Sequence, residues 1–398
     1  MSDSAPTVRN DRRNILLLGL VSFINDTSSK IILPVLPLFL AHLGAAGAAI
    51  GIISGISDSV AGLLKMFAGY WSDRTGRRLA FVYGGYGIAS VAKFLFAFAG
   101  SWPQVLVLRT AERFGKGLRS APRDAVLAAS TVRHRRGRGF GVHRAMDSGG
   151  AVLGTLVAFG LFWYLHLGFS EVFLIAGLIG FVSLLPLLWV REHGDGPPAQ
   201  PPRISLRALA PRLRLFMLVA FLFALANFSY MFFVLRSQTA FSGTLAIAAP
   251  ILLYGLYNLS FTLFALPAGI LSDRIGRRAV LMAGYGLFGL VSLGFIFAHT
   301  TWAFVTLFLL YGLSYALIEA NERAYVSDLA AADMRGTALG TYHMATSVAA
   351  LPAGLAAGLL WDAHPTATFA YGAVLAFSAA ALLWMAARHD GGAGEEHA

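Results

Sequence analysis

The chain contains no cysteine, so disulfides and thiolate metal sites play no part in its chemistry. Charge is nearly as scarce. Only 13% of the 398 residues are Asp, Glu, Lys or Arg, against about 25% in a soluble globular domain. Acids are scarcer than bases, 20 to 31, which leaves a net charge of +11. No H-E-x-x-H metal motif and no serine nucleophile elbow occurs, and Gly115-Lys116-Gly117 lacks the spacing of a phosphate-binding loop. No cofactor, no resident metal and no enzyme activity are therefore expected. What the chain has instead is apolar length: 57% of it is hydrophobic and its mean hydropathy is +0.66. A surface with so little charge faces lipid rather than water.

Apolar runs of about 20 residues alternate with short polar breaks. Spans are expected over 14–41, 47–70, 79–99, 103–129, 138–165, 170–190, 213–238, 245–268, 279–299, 302–328, 337–361 and 366–387. The expected fold class is all-α, a polytopic membrane protein of twelve transmembrane helices. Breaks bearing arginine (Arg12 and Arg13; Arg74, Arg77 and Arg78; Arg133, Arg135 and Arg136; Arg191 to Arg214; Arg274, Arg277 and Arg278; Arg335; Arg388) alternate with breaks that have no Lys or Arg. The positive-inside rule puts the arginine set, and with it both termini, in the cytoplasm. This absorbs much of the net charge without a nucleic-acid partner. Pro197, Pro198, Pro201 and Pro202 mark a linker. The expected divisions are a tail 1–13, a six-helix bundle 14–190, a linker 191–212, a second six-helix bundle 213–387 and a tail 388–398.

The halves repeat. Gly69-Tyr-Trp-Ser-Asp73-Arg74-Thr-Gly76-Arg77-Arg78 recurs 200 residues later as Gly269-Ile-Leu-Ser-Asp273-Arg274-Ile-Gly276-Arg277-Arg278, and Trp102 and Arg123 match Trp302 and Arg323 at the same offset. Parallel repeats of this size are a transporter architecture, with the site at their interface near the membrane midplane. The doubled G-x-x-S-D-R-x-G-R-R loop resembles the signature of the major facilitator superfamily, and the resemblance spans residues 14–388. The segments Gly115–Asp124 and Phe140–Asp147 are similar to a prokaryotic subgroup of it, which implies the plasma membrane, the inner membrane in bacteria. The resemblance implies two bundles that rock about a central cavity lined by spans 1, 4, 7 and 10. It also implies that Asp73, and by repetition Asp273, latches the cytoplasmic side. Read physically, Gly69 and Gly76 allow a close approach and a tight turn, the arginines anchor to lipid phosphate, and Asp73 can serve a helix N-terminus.

An ionisable residue at the membrane centre costs about 2.5–3.5 kcal/mol, so intramembrane charges mark function. Span 4 carries Arg109, Glu112, Arg113, Lys116, Arg119, Arg123 and Asp124, and Arg113-x-x-Lys116-Gly117 resembles the family's R-x-x-Q-G motif with Lys for Gln. Span 1 supplies Asp26 and Lys30, four apart, with Pro34 and Pro37 beyond them; span 2 supplies Asp58. Span 5 supplies His143 and Asp147, span 7 Asn227 and Tyr230, and span 10 Tyr315, Glu319, Glu322 and Arg323. Proton coupling is expected through Asp26 with Arg113, or through Glu319 or Glu322 with Arg323.

The expected activity is secondary transport of a small solute, coupled to protons, by a monomer among membrane lipids. The cations of the first half outnumber its acids, which tilts the solute toward an anion or zwitterion. The direction stays open between import and export: the glycines of span 5 suit an exporter of the family, but Thr155 stands where its antiporters place Pro after Gly154. Gly149, Gly150 and Gly154 also suit plain helix packing. Two alternatives stay open: a receptor or scaffold on the same fold, and a soft-metal transporter using His143, Met146, His343 and Met344.

Overall fold

The computed structural model of the chain describes residues 12–131, 136–192, 209–331 and 334–395. The tail before Arg12, Arg133, Arg135, the four linker prolines and the last three residues lie outside the described residues. Every regular element described is helical. In chain order they are α1 (Arg12–Ile32), α2 (Leu36–His42), α3 (Gly47–Thr75), α4 (Arg78–Leu95), α5 (Trp102–Ala129), α6 (Arg136–Trp163) and α7 (Phe169–Val182). There follow α8 (Pro211–Ala226), α9 (Tyr230–Gln238), α10 (Leu245–Ile275), α11 (Arg277–Phe297), α12 (Thr301–Leu329), α13 (Arg335–Ala363) and α14 (Pro365–Glu395).

Among the described residues, eleven segments are long and apolar enough to cross a membrane. Helices satisfy their own backbone groups, which lipid cannot do for them. The segment Arg12–His42 joins α1 and α2, and Pro211–Gln238 joins α8 and α9. The first break, at Leu33–Val35, contains Pro34, which lacks an N–H and clashes with the preceding turn. The second spans Asn227–Ser229, where the Ser229 hydroxyl restarts the helix by accepting the Met231 N–H at 3.3 Å. Helix α5 has 28 residues, as many as α6, but its charges make it less apolar than those eleven segments.

Contacts group the chain into two compact units, Met1–Val35 with Val60–Pro201, and Leu36–Ser59 with Pro202–Ala398. Within the first, α1 packs on α6 and α7, and α4 packs on α5 and α7. Within the second, α8 packs on α13 and α14, and α11 packs on α12 and α14. Each pairing has its counterpart at the repeat offset, so the sequence repeat is also a packing repeat.

Small residues set the closest approaches. In the first unit, a methyl on Gly150 would stand 2.2 Å from the Phe23 carbonyl oxygen, and one on Gly154 2.3 Å from that of Thr27. These glycines let α6 lie against α1, which is the packing role. In the second unit, a methyl on Gly51 would stand 2.0 Å from the Gly354 carbonyl oxygen, and one on Gly358 2.3 Å from that of Gly47. Asp362 closes this contact, accepting the N–H groups of Gly47 at 2.6 Å and Ala48 at 2.8 Å at the start of α3. Leucines such as Leu156, Leu188, Leu263 and Leu266 stay exposed on the outer faces, as lipid-facing residues do.

Candidate functional site

The first unit holds a polar network inside its helices. Asn25 on α1 turns its side-chain oxygen to Lys93 Nζ of α4 at 2.9 Å, and Lys93 is fully buried. On α5, Arg109 and Glu112 form a buried ion pair one helical turn apart. Arg113 and Lys116 flank Glu112. Asp26 on α1 meets Asp147 on α6 within hydrogen-bonding reach, and Lys30, Lys116 and Arg119 surround it. Arg113 acts on Glu112 and Lys116, and Asp26 also accepts from the Asn25 amide at 3.2 Å. His143 Nε2 lies 2.8 Å from Ser22 Oγ, which reaches Tyr86 Oη at 3.2 Å. Arg119 lies over the Tyr86 ring, 4.2 Å from its centroid. Arg123 pairs with Asp124 at 2.8 Å and Arg144 with Asp147 at 3.4 Å.

The second unit encloses a cavity of about 320 Å³, within the usual range for small-molecule sites. Ser54 and Asp58, one turn apart on α3, form one wall. The break between α8 and α9 contributes Asn227, Phe228, Ser229 and Tyr230, and α12 contributes Tyr311, Tyr315, Glu319 and Glu322. Tyr315 donates to Asn227 Oδ1 at 2.5 Å, tying α12 to the break. Glu322 is buried and accepts from Tyr285 at 2.7 Å and Tyr342 at 2.5 Å. Glu319 pairs with Arg323 at 3.2 Å, both groups nearly half exposed, and Arg323 is not in the lining. Tyr254 and Tyr257 of α10 and Tyr342 of α13 complete an aromatic wall.

The structure thus gathers Asp26, Lys30, Glu112, Lys116, His143 and Asp147 in one unit, and Asp58, Asn227, Tyr230, Glu319 and Glu322 around one cavity in the other. Arg236, on α9, does not join the cavity. Its guanidinium donates to the carbonyls of Phe295, Ile296 and Ala298 and so caps the C-terminus of α11.

The repeated motif is helix for most of its length, not loop. Gly69, Asp73 and Arg74 lie on α3, and Gly269, Asp273 and Arg274 lie on α10. Only Gly76 and Gly276 make the turns, with φ of +64° and +91°, a region that favours glycine. A methyl on Gly69 would meet Ala121 at 3.2 Å, whereas Gly269 faces open space. Asp73 accepts from Arg78 at 2.5 Å, and Asp273 pairs with Arg277 at 3.2 Å. The N-terminus of α4 is served instead by Glu192, which accepts from the Arg78 N–H at 2.7 Å. Arg277 also pairs with Asp328.

Sequence reasoning passed over Glu192, Asp362, Tyr254, Tyr257 and Tyr342. The tyrosines left a signal, since 254 and 257, and 311 and 315, recur at helical spacing. For the metal reading, His143 and Met146 belong to one unit and His343 and Met344 to the other, and among the described residues no group of three metal-binding side chains gathers.

A profile of the Major Facilitator Superfamily matches residues 18–255 and 238–397. An uncharacterised MFS-type transporter of Methanocaldococcus jannaschii is 42% identical over 383 residues, covering 94% of this chain and 96% of that one. Multidrug resistance protein MdtG of Salmonella paratyphi B is 27% identical over 333 residues, covering 80% and 81%. Among solved structures, a mutant of the nucleoside transporter NupG superposes with a TM-score of 0.78 at 17% identity, covering 93% of this chain and 99% of that one. A POT family peptide transporter does so with 0.78 at 15% identity, covering 94% and 97%. At such identities the structural likeness speaks to the fold. With eleven described segments long and apolar enough to cross a membrane and a profile match along nearly its whole length, the chain is a multi-pass integral membrane protein that belongs to the Major Facilitator Superfamily.

Proposed function

We propose that the chain is a secondary active transporter of the inner membrane that exports a small solute by alternating access, driven by protons. In this reading α5 is the twelfth span, both termini are cytoplasmic, and residues 14–190 and 213–387 are the two bundles that rock. The repeated packing of the two halves supports it, as does the resemblance to multidrug resistance proteins.

The observation that carries the proton is the meeting of Asp26 and Asp147. Two carboxyl groups this close do not both ionise readily, because like charges oppose each other, so the pair favours keeping one proton. Lys30, Lys116 and Arg119 stand around the pair, on α1 and α5, so a shift of one helix against another changes the charge the pair senses. A carrier needs that coupling between helix position and proton occupancy. The test compares gradient-driven uptake with solute counterflow in proteoliposomes. Asp26→Asn and Asp147→Asn should abolish accumulation and keep counterflow. Accumulation against a gradient by both variants contradicts the assignment.

A second reading, an anionic or zwitterionic solute, rests on Arg119 of the first unit. Its Nη1 is buried and makes no hydrogen bond among the described residues. A solute panel of anions, zwitterions, cations and neutral compounds in the same vesicles separates the readings.

A further inference from the structure

The cavity of the second unit is rich in tyrosine and carboxyl groups. Six of its lining residues are tyrosines (230, 254, 257, 311, 315 and 342), three are acids, and none is Lys, Arg or His. Tyr257 stacks on Tyr311 with centroids 4.6 Å apart and planes 29° apart. Tyr315 stands nearly perpendicular to both, at 5.6 and 5.2 Å. Tyr254 extends the row, 5.7 Å from Tyr257 and 5.1 Å from Tyr230. Asp58 and Glu319 both act on Tyr315, so their charges lie beside these rings.

Ring faces are electronegative and attract cations. Asp58 and Glu319 bring carboxyl groups to the same wall, and the described bases beside it, Arg323 on Glu319 and His343 against the Tyr342 ring, are not in the lining. The break at Asn227–Ser229 brings a helix C-terminus and a helix N-terminus together, so its two partial charges oppose each other. Rings and carboxylates therefore set the sign of the site. Rings along the wall suit a flat occupant, and the volume suits a molecule of about two rings.

We propose that this cavity is the solute site and that it takes a flat aromatic monocation, an aryl or heteroaryl ammonium of about two rings. This rests on the transport reading above and competes with the anionic reading, whose cations belong to the other unit.

Equilibrium binding of tritiated 1-methyl-4-phenylpyridinium to the full chain in nanodiscs tests it, with biphenyl-4-carboxylate as the two-ring anion. The cation should bind saturably, and the carboxylate should not displace it. Tyr257→Leu and Glu319→Gln should each weaken binding by about tenfold, whereas Tyr257→Phe, which keeps the ring, should stay within about threefold and shows that the fold survives. Absent cation binding, displacement by the carboxylate, or unchanged affinity in both Tyr257→Leu and Glu319→Gln overturns the proposal. The assay needs no gradient. Binding without transport of any solute sinks the transport reading and supports the site, while gradient-driven uptake of another solute without cation binding does the reverse.

Discussion

Tyr342 donates its phenol to Glu322 Oε2 at 2.5 Å, and with Tyr285 on Oε1 it provides the hydrogen bonds that let a carboxyl sit buried in a membrane-spanning unit. No described base forms an ion pair with Glu322, so the phenols supply what a cation would supply elsewhere. Hydrogen bonds to a charged group contribute about 1.5–3 kcal/mol each. Tyr342→Phe should lower the melting temperature of the purified protein. Glu322→Gln, which keeps one acceptor oxygen and puts an amide donor in place of the other, should lower it less than Glu322→Leu, which leaves both phenols without this partner. Equal melting for all three contradicts this account.

The Arg109–Glu112 pair on α5 predicts a reversal of the usual order of mutational damage. Removing one partner of a buried pair costs about 3–5 kcal/mol, whereas replacing both with apolar groups is often neutral. Glu112→Leu should therefore reduce folded yield and melting temperature more than Arg109→Leu combined with Glu112→Leu. Fluorescence size-exclusion profiles after heating give the measurement, and a double variant worse than the single one refutes it.

Glycine positions divide by what a methyl would meet. Gly51→Ala places one 2.0 Å from the Gly354 carbonyl oxygen and should destabilise by overpacking, about 1–3 kcal/mol. Gly87 and Gly286 lie inside α4 and α11 with nothing within 4 Å. Gly87→Ala and Gly286→Ala should be neutral or stabilising by about 0.5–1 kcal/mol. Thermal melts of the three variants decide it.

Much of the fold was legible because membrane helices announce themselves by length and hydropathy. The expected spans 245–268 and 337–361 fall within α10 and α13. The ends were less legible, since α3 and α10 carry on through the polar residues of the repeated motif and stop only at Gly76 and Gly276. Charge was legible as residues but not as partners. Asp26 and Lys30 share a helix face, yet Asp147 comes from 121 positions further along the chain. The aromatic cavity was the least legible feature, because tyrosines at helical spacing look the same in a packed core and in a binding wall. Their meaning came from packing α10 against α12.

The claim on which the rest depends is transport coupled to protons. The most direct measurement is uptake of the solute panel into proteoliposomes holding the full chain, with an imposed pH gradient, with no gradient, and with the gradient dissipated by an uncoupler. The account predicts accumulation of at least one solute above its equilibrium level under the gradient alone, lost with the uncoupler and in Asp26→Asn. Uptake of every solute that is the same in all three conditions would contradict it.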